Sequence, residues 1–556
     1  MATLTLGGAL FNAWLGFPFL TSQEAFYSTV GGVIPFSDAE TYLSGAHRFI
    51  DLGYLDSWNM RRPLYTLLLA FYLKVTGFNF SYVMTLQMSI CAIALTLYLK
   101  TLREDLGMAA TFLSLLFIYY YAHRYIHITL TETLGLTLGL LSFVLLWNGW
   151  IQKNRTIFNA GMASLAIALN ARAGPNFIVF GLLFLVCLHP FSPSRSKDLL
   201  ISVFSFTIPF YACTKLSTIF GDPAGTGMAF SNLAPTLYGL VHGGKKWTFA
   251  YEDPSIKNLL LHQNEAQQAI IIYKESWRAF INNPLSLFVG MGKYLGAFLA
   301  WFIRALIIGE GFIKAVTGII SPLLLIFIGF KVYQKQLLHD RACLFLLIIF
   351  LSIAVSSMIV FKDGGMRTFA VVIPFMGALL GFAFAKFTPL EIQKRPQNSA
   401  AIGGIVFIFL ASVMALYIPS WVEKPNTTVL NLTHEQGQET FLTYNLNKQP
   451  HLLIDPSPGI HLRSMPPITL KEAWKIYYYS DQILALELGK TANEFKNNNL
   501  VLLMIYDYVS HSIKWILAKN HILNPNAEWI EIHARLIDHD FKKIYQAYSY
   551  IEHNQK

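Results

Sequence analysis

Charged residues are scarce in this chain, and their scarcity excludes most classes of soluble protein. Asp, Glu, Lys and Arg make up 13% of its 556 residues, whereas soluble domains carry about 25%. Apolar residues make up 54% of the chain and aromatic residues 15%. This composition excludes a large soluble enzyme, a disordered chain and a fibrous chain. It is typical of a polytopic α-helical membrane protein whose aromatic side chains lie at the membrane interfaces.

The chain has only four cysteines, and none of them forms a metal-binding motif. Cys91, Cys187, Cys213 and Cys343 all lie in apolar runs, and no pair has the spacing of metal ligands. We therefore expect four small core residues rather than a disulfide framework or a zinc site. The chain also has no nucleotide-binding glycine pattern and no evident internal repeat.

Eleven apolar stretches approach the length that a membrane-spanning helix needs, about 20 residues. They cover residues 4–20, 82–99, 106–122, 133–152, 157–170, 176–188, 199–213, 312–330, 342–361, 367–385 and 400–420. No Lys or Arg precedes Arg48, so the first stretch is predicted to be an uncleaved span rather than a secretory signal. Two further stretches, 64–78 and 285–308, contain charges, and we expect them to lie at the outer interface or dip into it.

The basic residues fix the orientation of these spans. With the amino terminus inside, the short cytosolic loops hold 12 Lys and Arg residues and the short opposite loops hold four. This asymmetry is the signature of positive-inside topology, and it accounts for the net charge of +10 without a nucleic-acid partner. Three larger segments then face the outer side of the membrane, at residues 21–62, 214–311 and 421–556.

The chain divides into two predicted domains. Residues 1–420 form the membrane domain, and residues 421–556 hold 13 basic and 14 acidic residues, which is nearly neutral. The tail contains the strand-like runs 452–454 and 500–506 and an amphipathic, helix-like stretch at 469–496. We expect a small soluble α/β domain on the outer side, long enough to have its own core.

The first outer loop contains an acidic residue at the start of a helical pattern. Asp38 follows an apolar segment, and either Ser37 or Asp38 is suited to cap that helix. Tyr42, Ala46, Phe49 and Ile50 follow at helical spacing, and this stripe is predicted to lie on the membrane surface.

Two adjacent arginines close the same loop. Arg61 and Arg62 precede Pro63 and an apolar stretch. One interpretation is that they hold a lipid phosphate, because guanidinium binds phosphate oxygens in a bidentate manner. The other is that they extend to the interface along their aliphatic stems. The residues alone do not decide between these interpretations.

Three more charged residues lie at span edges on the side that carries Asp38. They are Glu132, Arg172 and Arg367. Ionisable groups at membrane depth are costly and usually mark function. The alternative is structural, with Glu132 pairing to Arg124 or Arg172.

Taken in order, these short motifs resemble a known superfamily. They are Asp38-Ala39 with Tyr42 and Ala46, Gly53, Arg62-Pro63-Leu64-Tyr65, Asn283-Pro284, and Arg367 followed by Pro374. The pattern resembles GT-C glycosyltransferases, above all the protein O-mannosyltransferase and lipid A aminoarabinose transferase families, over roughly residues 20–385. It departs from them in lacking an acidic pair at Asp38-Ala39 and a double proline at Pro63-Leu64, which leaves the subfamily open.

The resemblance implies an inverting transfer of a sugar from a polyprenyl-phosphate donor to an acceptor hydroxyl on the outer face. It implies a GT-C-like fold and assigns Asp38 as the general base, Glu132 as a second catalytic carboxylate, and arginines to the donor phosphate. These arginines are Arg61, Arg62, Arg172 and Arg367. The residues expected to bind substrate are Glu40, Tyr42, Tyr65, His127, Lys246 and Trp247. Asp38 and Glu40 offer two ligands to a divalent metal ion, without a clear third.

The expected setting is a bacterial inner membrane, with the active site and the tail on the periplasmic side. The acceptor is a glycan, a lipid or a protein, and the sequence identifies neither it nor the sugar. Three alternatives stay open: a polymerase that uses pyrophosphate-linked glycans, a transporter or flippase of lipid-linked sugars, and a scaffold without enzymatic activity.

Overall fold

A computed structural model describes the helical part of the chain and five strands of its tail. The described residues are 29–30, 34–35, 38–78, 80–126, 128–221, 227–260, 263–304, 340–383, 438–444, 500–507, 512–519, 529–537 and 544–553. A two-residue antiparallel pair, β1 (Thr29–Val30) with β2 (Ile34–Pro35), precedes the helices.

Fifteen α-helices follow within these residues. They are α1 (Asp38–Leu52), α2 (Pro63–Val75), α3 (Phe80–Leu106), α4 (Met108–Tyr125), α5 (Thr131–Ile151), α6 (Arg155–Ala171), α7 (Ile178–Leu188), α8 (Arg195–Ile219), α9 (Leu233–Val241), α10 (Phe249–Glu252), α11 (Pro254–Leu260), α12 (Glu265–Asn282), α13 (Pro284–Arg304), α14 (Arg341–Gly364) and α15 (Ile373–Ala383). Short 3₁₀ helices cover Asn59–Arg61 and Gly365–Val372.

Local sequence signals account for several of these helix ends. Pro63 occupies the first turn of α2, where its missing N–H costs no hydrogen bond. Asp340 caps α14 by accepting from the backbone of Ala342 and Cys343, at 2.7 and 2.9 Å. Asn264 and Gln267 form a reciprocal capping box at the start of α12.

Six segments of the described residues are long and apolar enough to cross a membrane. They are Tyr82–Leu106, Thr131–Ile151, Arg195–Ile219, Pro284–Phe302, Arg341–Phe361 and Gly365–Phe382. These segments support an integral membrane protein. Of the predicted spans, 4–20, 312–330 and 400–420 lie outside the described residues, so the count of eleven stays a prediction.

Glycines allow the helices at the centre of the bundle to approach closely. A Cβ at Gly139 of α5 would lie 2.2 Å from the carbonyl oxygen of Val371, and one at Gly135 would lie 2.9 Å from Cβ of Arg172. A Cβ at Gly174 would lie 2.0 Å from the carbonyl oxygen of Thr368. Small residues spaced four apart are a common device for packing helices in membranes. Here Gly135 and Gly139 allow the Gly365–Val372 segment to pack closely against α5.

The two ends of this bundle carry different polar contacts. At one end, the indole of Trp150 donates to the backbone of Arg341 at 2.8 Å, and the guanidinium of Arg341 lies over the Trp150 ring. Glu132 and Arg367 lie at the other ends of the same helical segments. The loops predicted to be cytosolic, at 151–156 and 331–341, adjoin the Trp150 end.

Helix α1 differs from its prediction as a helix lying on the membrane. Tyr42 and Ala46 are buried in the protein core, and Phe49 and Ile50 are half-buried against it. The Tyr42 ring packs edge-on against Trp58 and Tyr65. The apolar stripe therefore covers protein rather than lipid, because α2 and the 53–62 loop occupy that face.

Helix α13 was also expected at the interface, and its Pro284–Phe302 part has the length and apolarity of a span. The charge that argued against a span, Lys293, bonds at 2.9 Å to the carbonyl of Gly243. Near its end, the Phe298 ring packs edge-on against Phe361 and at a tilt against Phe369, beside the Arg367 end of the bundle.

The tail contains a five-stranded sheet formed by β3 (Gln438–Tyr444), β4 (Leu500–Asp507), β5 (Ser512–Lys519), β6 (Trp529–Ile537) and β7 (Ile544–His553). The strand order is β3-β6-β7-β5-β4, and only β5 and β7 pair in parallel. The strand-like run 500–506 falls in β4. Residues 452–454 and the helix-like stretch 469–496 lie outside the described residues, so the α/β domain stays a prediction.

Substituting Gly139 by alanine tests the close packing of α5. We expect Gly139→Ala to destabilise the protein by about 1–3 kcal/mol, because the new methyl group meets backbone rather than a movable side chain. Gly292→Ala is the matched control, since a Cβ at Gly292 has nothing within 4 Å. Thermal unfolding in detergent measures both, and equal midpoints would contradict the packing.

Candidate functional site

The first turn of α1 accepts hydrogen bonds from two separate loops. The hydroxyl of Thr129 donates to the carbonyl of Ala39 at 2.7 Å, and the amide of Asn59 donates to the carbonyl of Thr41 at 3.1 Å. Helix α1 begins at Asp38, as the sequence predicts. These bonds therefore fix the carboxylate of Asp38 over the end of the bundle where α5 begins.

Arg367 joins the two carboxylates that the sequence analysis singles out. Its Nη2 lies 2.8 Å from Oδ2 of Asp38, and its Nε lies 2.5 Å from Oε1 of Glu132. In the sequence, Arg367 lies 329 positions after Asp38 and 235 positions after Glu132. One guanidinium thus joins carboxylates from distant parts of the chain. Arg367 lies in the 3₁₀ segment Gly365–Val372, which packs closely against the glycines of α5. The packing of the bundle therefore determines the position of the Arg367 side chain.

Glu132 is completely buried and fully bonded, which differs from the position expected of a residue that contacts substrate. Its side chain has 0% exposure, and Arg172 contacts Oε1 at 3.5 Å besides Arg367. The hydroxyl of Thr131 donates to Oε2 at 3.1 Å. The structural alternative, a pair between Glu132 and Arg172, is therefore observed, while Arg124 bonds instead to the Tyr120 hydroxyl at 2.6 Å.

Asp38 is the exposed member of the cluster. Its side chain is 44% exposed, and Arg367 holds Oδ2. Within the described part of the chain, Oδ1 accepts no hydrogen bond. One oxygen is thus anchored, and the other remains available to a ligand that approaches from solvent.

Arg172 and Arg367 are predicted to bind phosphate, and both already have anionic partners. Arg172 also donates to the Arg367 carbonyl at 3.1 Å. Two arginines and two carboxylates, Asp38 and Glu132, cancel in charge. The four-residue cluster is therefore electrically balanced without a ligand.

Arg62 is the exception among the predicted phosphate-binding residues. It is only 7% exposed, and its buried Nε has no hydrogen-bond partner. Within the described residues its guanidinium forms no salt bridge. A buried, unpaired cation is costly, and an anionic ligand removes that cost.

Tyr42 connects Arg62 with the carboxylates. Burial raises the pKa of its hydroxyl above the ordinary value; Arg62 opposes the shift, and Asp38 and Glu132 add to it. Arg62 immediately precedes α2, and Asp38 begins α1. The two helices pack against each other through the rings of Tyr65 and Tyr42, whose centroids are 5.2 Å apart.

Arg61 lies beside Arg62 in the chain and has a different role. Its Nε lies 2.6 Å from Oε1 of Glu265, which also accepts from the Ser231 hydroxyl. Burial disfavours the charged form of Arg61, but Glu265 outweighs burial and raises its pKa above the ordinary value. The structure joins Arg61 to Glu265 of the 214–311 segment, and Arg62 has no salt-bridge partner among the described residues.

Asn59 is a positioning residue that the sequence analysis missed. Its side chain bonds to Asp56 at 2.7 Å and to the Thr66 hydroxyl at 2.6 Å. A Cβ at Gly45 would lie 2.0 Å from Asn59 Nδ2, so α1 accommodates Asn59 through a glycine. No sequence signal distinguishes this asparagine from an ordinary loop residue, because its partners are spread from residue 41 to residue 66.

The other predicted substrate-binding residues are placed as follows. Tyr65 is buried, and its hydroxyl donates to Gln87 at 2.9 Å. Lys246 and Trp247 are exposed, in a turn that packs through Gly244 against Gly290 of α13. No described contact joins that turn to Asp38. His127 and the side chain of Glu40 lie outside the described residues.

The described residues contain no group of three His, Cys, Asp or Glu that would hold a metal ion. Oδ2 of Asp38 is bonded to Arg367. The side chain of Glu40 lies outside the described residues, so the two-carboxylate metal site stays a prediction.

The chain matches no protein-family model and no curated protein. Among solved structures, it is similar to the cryo-EM structure of the arabinosyltransferase EmbB from Mycobacterium smegmatis, with 14% sequence identity and a TM-score of 0.30. The match covers 79% of this chain and 46% of the EmbB chain, so this chain spans less than half the length of that protein. A likeness at this level assigns neither a fold nor an activity here.

Removing the two carboxylates separately distinguishes their roles. We expect Glu132→Ala to destabilise the protein by about 3–5 kcal/mol, because it leaves two buried arginines without their shared partner. Asp38→Asn removes a half-exposed ion pair and is expected to cost less than about 1 kcal/mol. Thermal unfolding in detergent measures both variants. Equal midpoints would show that Glu132 has no structural role.

Proposed function

We propose that this protein is an inverting membrane glycosyltransferase. It moves a sugar from a polyprenyl-phosphate carrier to an acceptor hydroxyl on the outer face of the membrane. One observation carries the proposal: a buried arginine without a salt-bridge partner among the described residues, Arg62, precedes the helix that packs on α1, which begins with a half-exposed carboxylate, Asp38. An anion site next to a free carboxylate oxygen is what transfer from a phosphate leaving group to a hydroxyl requires.

The charge balance favours a donor with one phosphate. Asp38, Glu132, Arg172 and Arg367 cancel, and Arg61 is neutralised by Glu265. Among the arginines predicted to bind phosphate, Arg62 is therefore the one without a carboxylate partner in the described residues, and its single positive charge matches the single negative charge of a sugar phosphodiester. A pyrophosphate-linked donor carries two negative charges and would leave one of them uncompensated. This argues against the polymerase alternative.

The reaction then needs three contributions from this chain. Oδ1 of Asp38 takes the proton from the acceptor hydroxyl as its oxygen bonds to the anomeric carbon. The bond from that carbon to the phosphate oxygen breaks, and the electron pair leaves with the carrier phosphate, which Arg62 stabilises. Arg367 keeps Asp38 in position through Oδ2, and Glu132 and Arg172 keep Arg367 in position. Attack opposite the leaving group inverts the anomeric centre.

The position of the site supports reaction at the outer surface. The Asp38 cluster lies at the end of the bundle opposite Trp150 and the basic loops that are predicted to be cytosolic. A transporter would instead place its charges at the middle of the spans. We place the protein in a bacterial inner membrane with this end towards the periplasm.

The general-base role of Asp38 is tested with purified protein in nanodiscs. Release of free polyprenyl phosphate is followed from a panel of polyprenyl-phosphate sugars, with an extract of periplasmic glycans, lipids and proteins as acceptor. We expect Asp38→Asn to lower kcat by about 10²–10⁴-fold, since a positioned base contributes that much. Wild-type activity in a folded Asp38→Asn variant would remove Asp38 as the base. Absence of carrier binding by the wild type would refute the proposal.

The neighbouring arginines provide a matched pair of variants. Arg62→Gln is expected to weaken donor binding by about 10–100-fold, because a hydrogen bond to a charged group contributes about 1.5–3 kcal/mol. Arg61→Gln removes the same charge one residue away, but its partner is Glu265, so a smaller effect on donor binding is expected. Direct binding of the donor to each variant measures the difference. A larger loss with Arg61→Gln would contradict the assignment.

A further inference from the structure

Helix α12 exposes a stripe of large apolar side chains that no described part of the chain covers. Ile270, Trp277 and Ile281 are 60%, 62% and 60% exposed. Their spacing of seven and four residues places them on one face of the helix. The opposite face, at Ala269, Ile272 and Ser276, is buried. Single apolar residues on a protein surface are common, but a contiguous apolar face exposed to water marks an interaction surface.

The polar residues beside the stripe indicate the chemistry of its partner. Lys274 and Arg278 are exposed next to it, and Arg278 also pairs with Glu275 at 2.6 Å. An apolar stripe with a tryptophan and flanking basic residues is typical of a helix that lies in the membrane interface. Tryptophan favours this depth because its ring is apolar and its N–H is polar.

The connections of α12 keep it near the bilayer. It follows the segment after α8, a candidate span that ends at Ile219, and Asn283 joins it directly to α13. Leu285 and Phe288, in the first turns of α13, are also exposed, at 70% and 63%. With 18 residues, α12 is about 27 Å long. Its apolar face therefore continues into a helix that is itself apolar enough to enter the membrane.

We infer that α12 lies along the outer leaflet of the bilayer. Ile270, Trp277 and Ile281 reach the upper part of the acyl chains, and Lys274 and Arg278 lie among the headgroups. The neighbouring 285–308 segment is predicted from its sequence to lie at the interface, and α12 carries no such prediction. This inference does not depend on the proposed function.

The placement has a consequence for Arg61 and Arg62. Glu265 is the first residue of α12, and it binds Arg61 directly. A helix held in the leaflet therefore fixes the Arg61–Arg62 pair at the depth of the lipid headgroups. If the proposed function holds, this is also the depth at which a carrier lipid presents its phosphate.

Nitroxide labels on the full-length protein in phosphatidylcholine–phosphatidylglycerol nanodiscs test the inference. The four native cysteines are replaced by alanine, and single cysteines are introduced as Ile270→Cys, Trp277→Cys and Ile281→Cys. Lys257→Cys, on the exposed face of α11, is the matched control. We expect the α12 labels to be more accessible to oxygen than to a nickel chelate, and the control label to show the reverse.

Two results would overturn the inference. Nickel access at residue 277 equal to that at residue 257 would place the stripe in water, and exclusion of both reagents would place it under protein. Photo-crosslinking by benzoylphenylalanine at position 277, with native cysteines retained, gives a second measurement. Lipid adducts at 277 and none at 257 support the inference, and their absence at 277 refutes it. Neither assay requires catalytic activity, so its outcome is independent of the glycosyltransferase proposal.

Discussion

The buried carboxylate of Glu132 imposes the main constraint on this structure. A charge with no exposure must be paired and hydrogen-bonded, and Glu132 obtains Arg367, Arg172 and Thr131 as its partners. These come from three different parts of the chain. The carboxylate therefore ties α5 to the loop after α6 and to the 3₁₀ segment after α14. The glycines of α5 let those backbones approach closely enough for the bonds to form.

The same constraint separates the site into a fixed part and an available part. Glu132 and Arg172 are nearly inaccessible, so their role is to hold Arg367. Arg367 in turn reaches the surface and anchors one oxygen of Asp38. Arg62, immediately before α2, has no salt-bridge partner among the described residues, and its buried Nε has no hydrogen-bond partner. The uncompensated charge and the free carboxylate oxygen are thus the two groups left for a ligand, while the rest of the cluster supports them.

Much of this was predictable from patterns along the chain. Low charge and long apolar runs indicate a membrane protein, and Asp38, Arg62, Glu132 and Arg367 stand out because charges at span edges are costly. The stripe at Tyr42 and Ala46, predicted to lie on the membrane, is buried in the protein core instead. Glu132, expected as a second catalytic carboxylate, is bonded to two arginines, as its structural alternative predicts for Arg172. Helical periodicity identifies an apolar or charged face but does not identify which surface covers it.

The sequence by itself determined the membrane class and the residue types at the candidate site, and its basic loops predict the orientation of the described bundle. These follow from composition and local spacing, because burial of apolar surface and the cost of charge in lipid act on each segment separately. Only the tertiary structure decided that Arg61 is neutralised by Glu265 while Arg62 is not. Two identical adjacent side chains differ only in what distant parts of the chain bring to them, and electrostatic pairing acts over a few ångströms of space regardless of separation in sequence.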